Sequence, residues 1–232
     1  PYTHSGVISS HNAMNKLISK KVFIENKMLT PKYFCLFKKD FRTNTLKKKL
    51  AQNKINFPVV SKPVNEGSSL GVMISKNIIE LKRKTRNLFK IYDQLIFEEY
   101  IGGQEVQVAV LNKVPLEAIE LIPKRSFYDY KAKYNKSAKT KHIMPARLKK
   151  KDYKKVLNLA KKAHHALNCK GVTRADFKYF KNKFYLLEIN TQPGMTSLSL
   201  VPEIANYKGI NFPNLIEKIL QDASINKWKD DF

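Results

Sequence analysis

Arg174-Ala175-Asp176 and, beyond a polar turn, Glu188-Ile189-Asn190-Thr191-Gln192-Pro193-Gly194 form the stretch on which the reading of this chain depends. Val172 to Phe180 and Phe184 to Ile189 are rich in aromatic and β-branched residues, so both read as strands, with Lys181-Asn182-Lys183 as the turn. Side chains alternate faces along a strand, which puts Arg174 with Asp176 on one face and Glu188 with Asn190 on one face. A hairpin centred on Asn182 sets Asp176 opposite Glu188 and Arg174 opposite Asn190. Two carboxylates, an amide oxygen and a guanidinium then share one patch. Magnesium favours such oxygen ligands and commonly binds through one or two carboxylates plus substrate phosphates. A solvated sheet face with ion pairs is the competing reading of the hairpin taken alone.

Composition narrows the class. The 232 residues can bury a real core, and 43% hydrophobic with 11% aromatic residues are globular values. No apolar run is long enough to cross a membrane. The chain opens Pro1-Tyr2-Thr3-His4, without an initiator Met or a signal peptide, and reads as the interior of a longer protein. Cys35 and Cys169 fit no metal spacing, and free thiols in a reducing cytoplasm are the expectation. The net charge of +25 raises nucleic-acid binding, yet only six of the 44 basic residues are Arg and the lysines are spread evenly. Phosphate clamps and base-reading surfaces lean on Arg, so neither a nucleic-acid nor a membrane partner is expected.

Upstream, residues 6–27 read as one helix carrying Lys16 and ended by Pro31, and Tyr33 to Phe37 as a strand. Residues 43–54 read as a solvated basic helix. Phe57 to Pro63 reads as a buried strand bearing Lys62, followed by Glu66-Gly67-Ser68-Ser69-Leu70-Gly71 and a strand through Val72 to Ile74. Such a loop of small residues lets backbone N–H groups approach an anion. An ordinary hairpin loop is the alternative, made less apt by a lysine in an apolar strand just before it. A helix over 78–91, strands over Leu95–Ile101, Glu105–Leu111 and Glu117–Ile122, and a helix over 149–168 follow. His164 and His165 read as packing and surface residues. Between the Glu117–Ile122 strand and the helix over 149–168, residues 124–145 form a long Tyr- and Lys-rich loop containing Phe127-Tyr128-Asp129-Tyr130-Lys131-Ala132-Lys133-Tyr134, which suits a lid. Closing helices are expected over 200–207 and 213–222. The mixture of strands and helices without regular βαβ alternation is α+β.

In this order, Tyr2-Thr3-x-Ser5-Gly6, Glu66-Gly67-Ser68-Ser69-x-Gly71, Phe127-Tyr128-Asp129-Tyr130-x-Ala132-Lys133-Tyr134 and Glu188-x-Asn190-Thr191-x-Pro193-Gly194 make the chain resemble the D-alanine–D-alanine ligases of the ATP-grasp superfamily, from Pro1 to about Leu220. The resemblance implies two α+β subdomains whose antiparallel sheets clamp ATP between them. Residues 1–28 would be the end of a preceding domain with its linking helix, 29–102 the central subdomain and 103–232 the C-terminal one. It implies that Lys16 and Lys62 contact the phosphates under the flap Gly67-Ser68-Ser69. Glu98 would accept from the adenine amino group, the Glu99 to Ile101 backbone would meet the base edge, and Glu105 would bind the ribose. Asp176, Glu188 and Asn190 would hold two magnesium ions, or manganese in their place. Arg174 and the Gly194 N–H would stabilise an oxyanion, Lys133 would reach the γ-phosphate, and Ser199 and Leu200 would hold the second substrate's carboxylate. Tyr134 and Ser68 match a hydrogen-bonded pair, and a tyrosine there goes with dipeptide rather than D-lactate ester synthesis. D-serine as second substrate stays open, as does another ATP-grasp carboxylate–amine ligase or, in a different class, a basic binding module. The family is cytoplasmic and commonly homodimeric. Its N-terminal domain, which helps bind the first D-alanine, has no counterpart in this chain, so poor ligation is expected of these residues alone.

Overall fold

The structure, a computed structural model, describes residues 1–42, 44–123 and 140–225. It opens with α1 (Val7–Met14) and α2 (Lys16–Glu25), two helices where the sequence suggested one. The break is at Asn15, whose backbone is extended and whose side chain accepts from the N–H groups of Leu17 and Ile18, both at 3.1 Å. Asparagine is a strong N-cap because it satisfies donors that the first turn leaves over. This cap puts Lys16 in the first turn of α2 and points it inward. The buried side of the two helices is mixed: Phe23 and Ala13 are buried together with Ser9, Ser19 and Lys20, while Val7 and Met14 are exposed. The helix ends at Glu25, well before Pro31, with Lys27 turning the chain at positive φ.

β1 (Tyr33–Phe37), α3 (Thr45–Gln52), β2 (Val59–Pro63), β3 (Met73–Ser75), α4 (Ile78–Leu88) and β4 (Gln94–Glu99) follow. The four strands form an antiparallel sheet in the order β1-β4-β2-β3. α3 is not merely a solvated helix. Leu46 and Leu50, four residues apart on one stripe, pack with Leu81, Leu88 and Phe97 in a core under this sheet.

The second sheet holds β5 (Gln104–Leu111), β6 (Val114–Ile122), β7 (Lys141–Ile143), β8 (Val172–Phe180) and β9 (Lys183–Asn190) in the order β7-β6-β5-β8-β9. The short edge strand β7 had no period-2 signal to betray it. One face of this sheet packs Val106, Val108, Ala175, Phe177 and Ile189 against α2 and α5 (Lys150–Ala166). The other face is divided. Its Ala109–Leu111 end is covered by α6 (Leu200–Tyr207) and α7 (Phe212–Gln221), while its polar end, around Glu105, Gln107 and Asp176, faces the first sheet.

The β8–β9 register at the carboxylates is the expected one, Arg174 opposite Asn190 and Asp176 opposite Glu188. It arises differently, however. The turn is only Lys181-Asn182, both at positive φ, so Phe180 pairs with Lys183. An irregularity between Asp176 and Phe177 then shifts the pairing, because Phe177 faces Leu186 and Leu187 is the extra residue. The bulge offsets the shorter turn. It also places Leu187 and Glu188 together on the cleft while Leu186 and Ile189 stay in the core.

His164 on α5 is buried as packing, its Nδ1 2.8 Å from the Thr173 hydroxyl. Burial, helped by the positive surroundings of His165 and Lys113, pushes its pKa down to about 4. Between pH 6.5 and 4 the unfolded chain takes up a proton that the folded state refuses, so stability falls on acidification through that window. The loss is on the order of 3 kcal/mol, from about 1.4 kcal/mol for each pH unit. Thermal unfolding followed from pH 7 to 4 should show this decline, and His164→Gln should flatten it.

Candidate active site

Lys62, near the end of β2, and Glu98, near the end of β4, stand on neighbouring strands of the first sheet. Their side chains meet at 2.8 Å through Glu98 Oε2, and Lys20 Nζ lies 2.9 Å from Glu98 Oε1. Lys16, one helical turn before Lys20, donates to the Glu66 carbonyl and sits 3.9 Å from Glu188 on the second sheet. Lys20 and Lys62 thus share one glutamate at the seam of the two sheets, and Lys16 stands beside them toward Glu188. Glu98 is 2% exposed and Lys20 0%, so these charges persist only because they are paired. Burial opposes ionisation of Glu98, but the attraction of Lys20 and Lys62 outweighs it and holds the carboxyl down to about 2. Burial likewise lowers Lys20 to about 8, against the pull of Glu98, and lowers Lys16 against the pull of Glu188. Lys20 was not singled out in the sequence. Its four-residue spacing from Lys16, on one helix face, was the available signal.

The cleft between the sheets is lined by Lys62 and Glu98 from one side and Glu105, Asp176 and Glu188 from the other. Glu99 and Ile101 border it, with the Glu99 N–H donated to the Lys32 carbonyl at 2.9 Å. Glu105 accepts from Lys178 at 3.0 Å. The loop Gly67-Ser68-Ser69-Leu70 lies between this cleft and a second cavity, with Ser69 and Leu70 on the first and Gly67 and Ser68 on the second. Ser68 and Ser69 hold φ of 52° and 61°, a left-handed pair rare for non-glycine residues and typical of constrained functional loops. Gly71 follows at positive φ, and a Cβ there would come within 2.8 Å of the Pro63 ring, so only glycine fits.

The second cavity brings together Arg174, Asn190, Gly194, Ser199 and Leu200. Arg174 grips Asp176 by two bonds, Nε to Oδ1 at 2.8 Å and Nη2 to Oδ2 at 3.0 Å. Asn190 Oδ1 accepts from the Gln192 N–H at 3.1 Å, which shapes the turn leading to Gly194. Ser199, the residue before α6, binds the Thr196 N–H through its hydroxyl at 3.0 Å, and a Cβ on Gly194 would meet that hydroxyl at 2.7 Å. Lys133 and Tyr134 lie outside the described residues. Apart from these two, the expected site residues gather along the cleft and the second cavity.

Among the described residues no three of His, Cys, Asp and Glu form a metal cluster. Asp176, Glu188 and Asn190 nevertheless supply two carboxylates and an amide oxygen on adjacent strands, the hard donor set that magnesium accepts when phosphate and water complete its shell. With Asp176 engaged by Arg174, that set fits a metal arriving with nucleotide better than a bare ion. Millimolar magnesium alone should therefore leave the melting temperature within about 1 °C, whereas magnesium with ADP at about 100 times its Kd should add about 3 kcal/mol of stability. Differential scanning fluorimetry over the four combinations checks this.

Two antiparallel sheets closing a cleft lined by lysines and a carboxylate hairpin define an ATP-grasp enzyme. Residues 23–221 match the family described as D-ala D-ala ligase C-terminus. The chain is 57% identical over 229 residues to the D-alanine–D-alanine ligase of Pelagibacter ubique, covering 98% of this chain and 73% of that enzyme. The crystal structure of the Bacillus anthracis D-alanine–D-alanine ligase complexed with ATP superposes with a TM-score of 0.83 at 26% identity, over 99% of this chain and 72% of that one. The VanG D-Ala:D-Ser ligase of Enterococcus faecalis gives 0.82 at 29% identity, over 95% and 64%. The chain belongs to the D-alanine–D-alanine ligase family.

Proposed function

We propose that this chain carries the ATP- and acceptor-binding machinery of an enzyme that joins two D-alanine molecules, at the expense of ATP, into D-alanyl-D-alanine for peptidoglycan precursors. The observation that carries the reading is the pairing of the Lys16–Lys62–Glu98 cluster with the Asp176–Glu188 hairpin across one cleft. The carboxylate of the first D-alanine attacks the γ-phosphoryl of ATP, giving an acyl phosphate and ADP. The amine of the second then attacks the acyl carbon, phosphate leaves, and the amine's surplus proton is released.

Each residue has a part in this proposal. Lys16 and Lys62 neutralise phosphate oxygens, and Gly67, Ser68 and Ser69 cover them with backbone donors. Glu98 accepts from the adenine amino group while its lysines hold it ionised. With the Glu99 N–H already engaged, base-edge contacts fall to the Glu99 carbonyl and the Ile101 N–H. Glu105 takes the ribose hydroxyls. Asp176, Glu188 and Asn190 hold magnesium, which supplies charge neutralisation on the phosphates when bound. Arg174 and the Gly194 N–H are donors for the oxyanion, and Ser199 with the Leu200 N–H, in the first turn of α6, receives the acceptor's carboxylate. We also assign Lys133 to the γ-phosphate and Tyr134 to Ser68, and keep the subdomain division at 29–102 and 103–232, which leaves one sheet essentially within each. A homodimer in the cytoplasm completes the proposal, and Cys35 and Cys169, neither of them in a disulfide, agree with that compartment.

The test is ADP release by the complete gene product. Release that requires both D-alanine and magnesium supports the proposal, and release indifferent to D-alanine refutes it. D-serine and D-lactate offered in competition report which acceptor is preferred.

A further inference from the structure

Gln107 stands on this face and is used by none of these roles. It stands on β5 directly opposite Asp176 on β8, with Ala109 opposite Arg174 two residues further on. Residues directly opposite on antiparallel strands present side chains to the same face, about 5 Å apart at Cβ. Gln107 therefore belongs to the row that runs Gln107, Asp176, Glu188 across three strands. It is 1% exposed, and its Oε1 is buried without a hydrogen-bond partner among the described residues. A buried amide oxygen left unpaired is destabilising, so its retention calls for a ligand that completes it.

Its position selects the ligand. Gln107 lines the second cavity with Arg174, Gly194 and Ser199, whereas Asp176 lines the nucleotide cleft. Arg174, the Ser199 hydroxyl and the Gly194 N–H can all donate, which suits a carboxylate and an oxyanion. An amino acid entering there also brings an amine, whose N–H groups need an acceptor. Gln107 Oε1 is a buried acceptor in this cavity that no group among the described residues occupies. Its neutrality matters as well. A carboxylate facing the amine would favour the ammonium form, which has no lone pair for attack, whereas a carboxamide accepts one N–H and leaves the nitrogen free to lose its proton.

We infer that Gln107 is an acceptor-binding residue, its carboxamide oxygen receiving an N–H of the attacking amine and orienting that nitrogen toward the acyl carbon. This rests on the ligase reading of the second cavity and adds to it the group that selects for an amine.

The test compares the complete gene product with Gln107→Met and Gln107→Leu, using D-alanine and propionate, which keeps the carboxylate and lacks the amine, as ligands at the acceptor site. The expected result is a KM for acceptor D-alanine raised about ten-fold, with the KM for ATP and the inhibition constant of propionate unchanged. The melting temperature of the ligand-free protein should stay level or rise, since the unpaired oxygen is gone. Equal weakening of D-alanine and propionate, or of neither, would overturn the inference. So would weaker magnesium–ADP binding with acceptor binding intact, which would move Gln107 to the metal's water shell. Loss of folding in both variants would overturn it too, by making the amide a structural group. D-alanine-independent ADP release by the unsubstituted protein is a separate result, and sinks the ligase reading before any variant is compared.

Discussion

Glu98→Gln should lower the melting temperature by on the order of 10 °C and, at neutral pH, abolish high-affinity nucleotide binding. The substitution keeps the shape of the side chain and removes the one negative charge shared by Lys20 and Lys62. Removing one partner of a buried pair costs about 3–5 kcal/mol because the remaining charges are left uncompensated. For a chain of this size each kcal/mol moves the midpoint by about 2–4 °C. The nucleotide effect follows from the same cluster, since Lys62 would no longer be held in place beneath the flap. The pH dependence has its own sign. Glu98 titrates lower in the folded than in the unfolded state, so its contribution is complete above its ordinary pKa of 4.5 and is lost as pH falls toward about 2. Calorimetry of both proteins between pH 7 and 3 should therefore show the gap narrowing at the acid end. A melting temperature unchanged by the substitution at pH 7 would mean that the charge of Glu98 does not stabilise the fold.

Arg174→Met should reduce kcat by about 10²–10³, the range seen when one oxyanion donor is removed from a preorganised site. The KM for ATP should move only a few-fold, because no nucleotide role falls to Arg174 in the proposed mechanism. Its two bonds to Asp176 add a second effect. Freed of its partner, Asp176 should bind magnesium–ADP at least as tightly as in the unsubstituted protein, which calorimetric titration checks. A variant with wild-type kcat would remove Arg174 from the chemistry and leave it as a strut for the hairpin.

Part of the site was legible in the chain because it obeys local rules. The face shared by Arg174 and Asp176 follows from strand period alone, and the serine-rich loop after an apolar strand with an inward lysine carried its own chemistry. The cross-strand register is more instructive. The expected three-residue turn and the observed two-residue turn plus bulge give the same pairing at Asp176 and Glu188. The position of the bulge was not in the sequence pattern, because Leu186 and Leu187 are interchangeable to any periodicity argument. The single helix expected over residues 6–27 failed for a related reason. The apolar spacing runs on past Asn15, whereas the break comes from the cap its side chain makes to Leu17 and Ile18, beside the docking of Lys16 beneath the flap with its N–H on the Val64 carbonyl at 3.1 Å.

Taken alone, the sequence determined the α+β class, the order of the motifs and the residue types able to hold phosphate and magnesium, all of which depend on spacing along the chain. Tertiary structure alone decided that Glu98 is shared by Lys20 and Lys62, that Arg174 holds Asp176, and that Gln107 is buried in the second cavity without a partner among the described residues. Each of these is a contact between distant segments or a matter of desolvation. Its energy depends on what the fold places within about 3 Å and on how much water it removes.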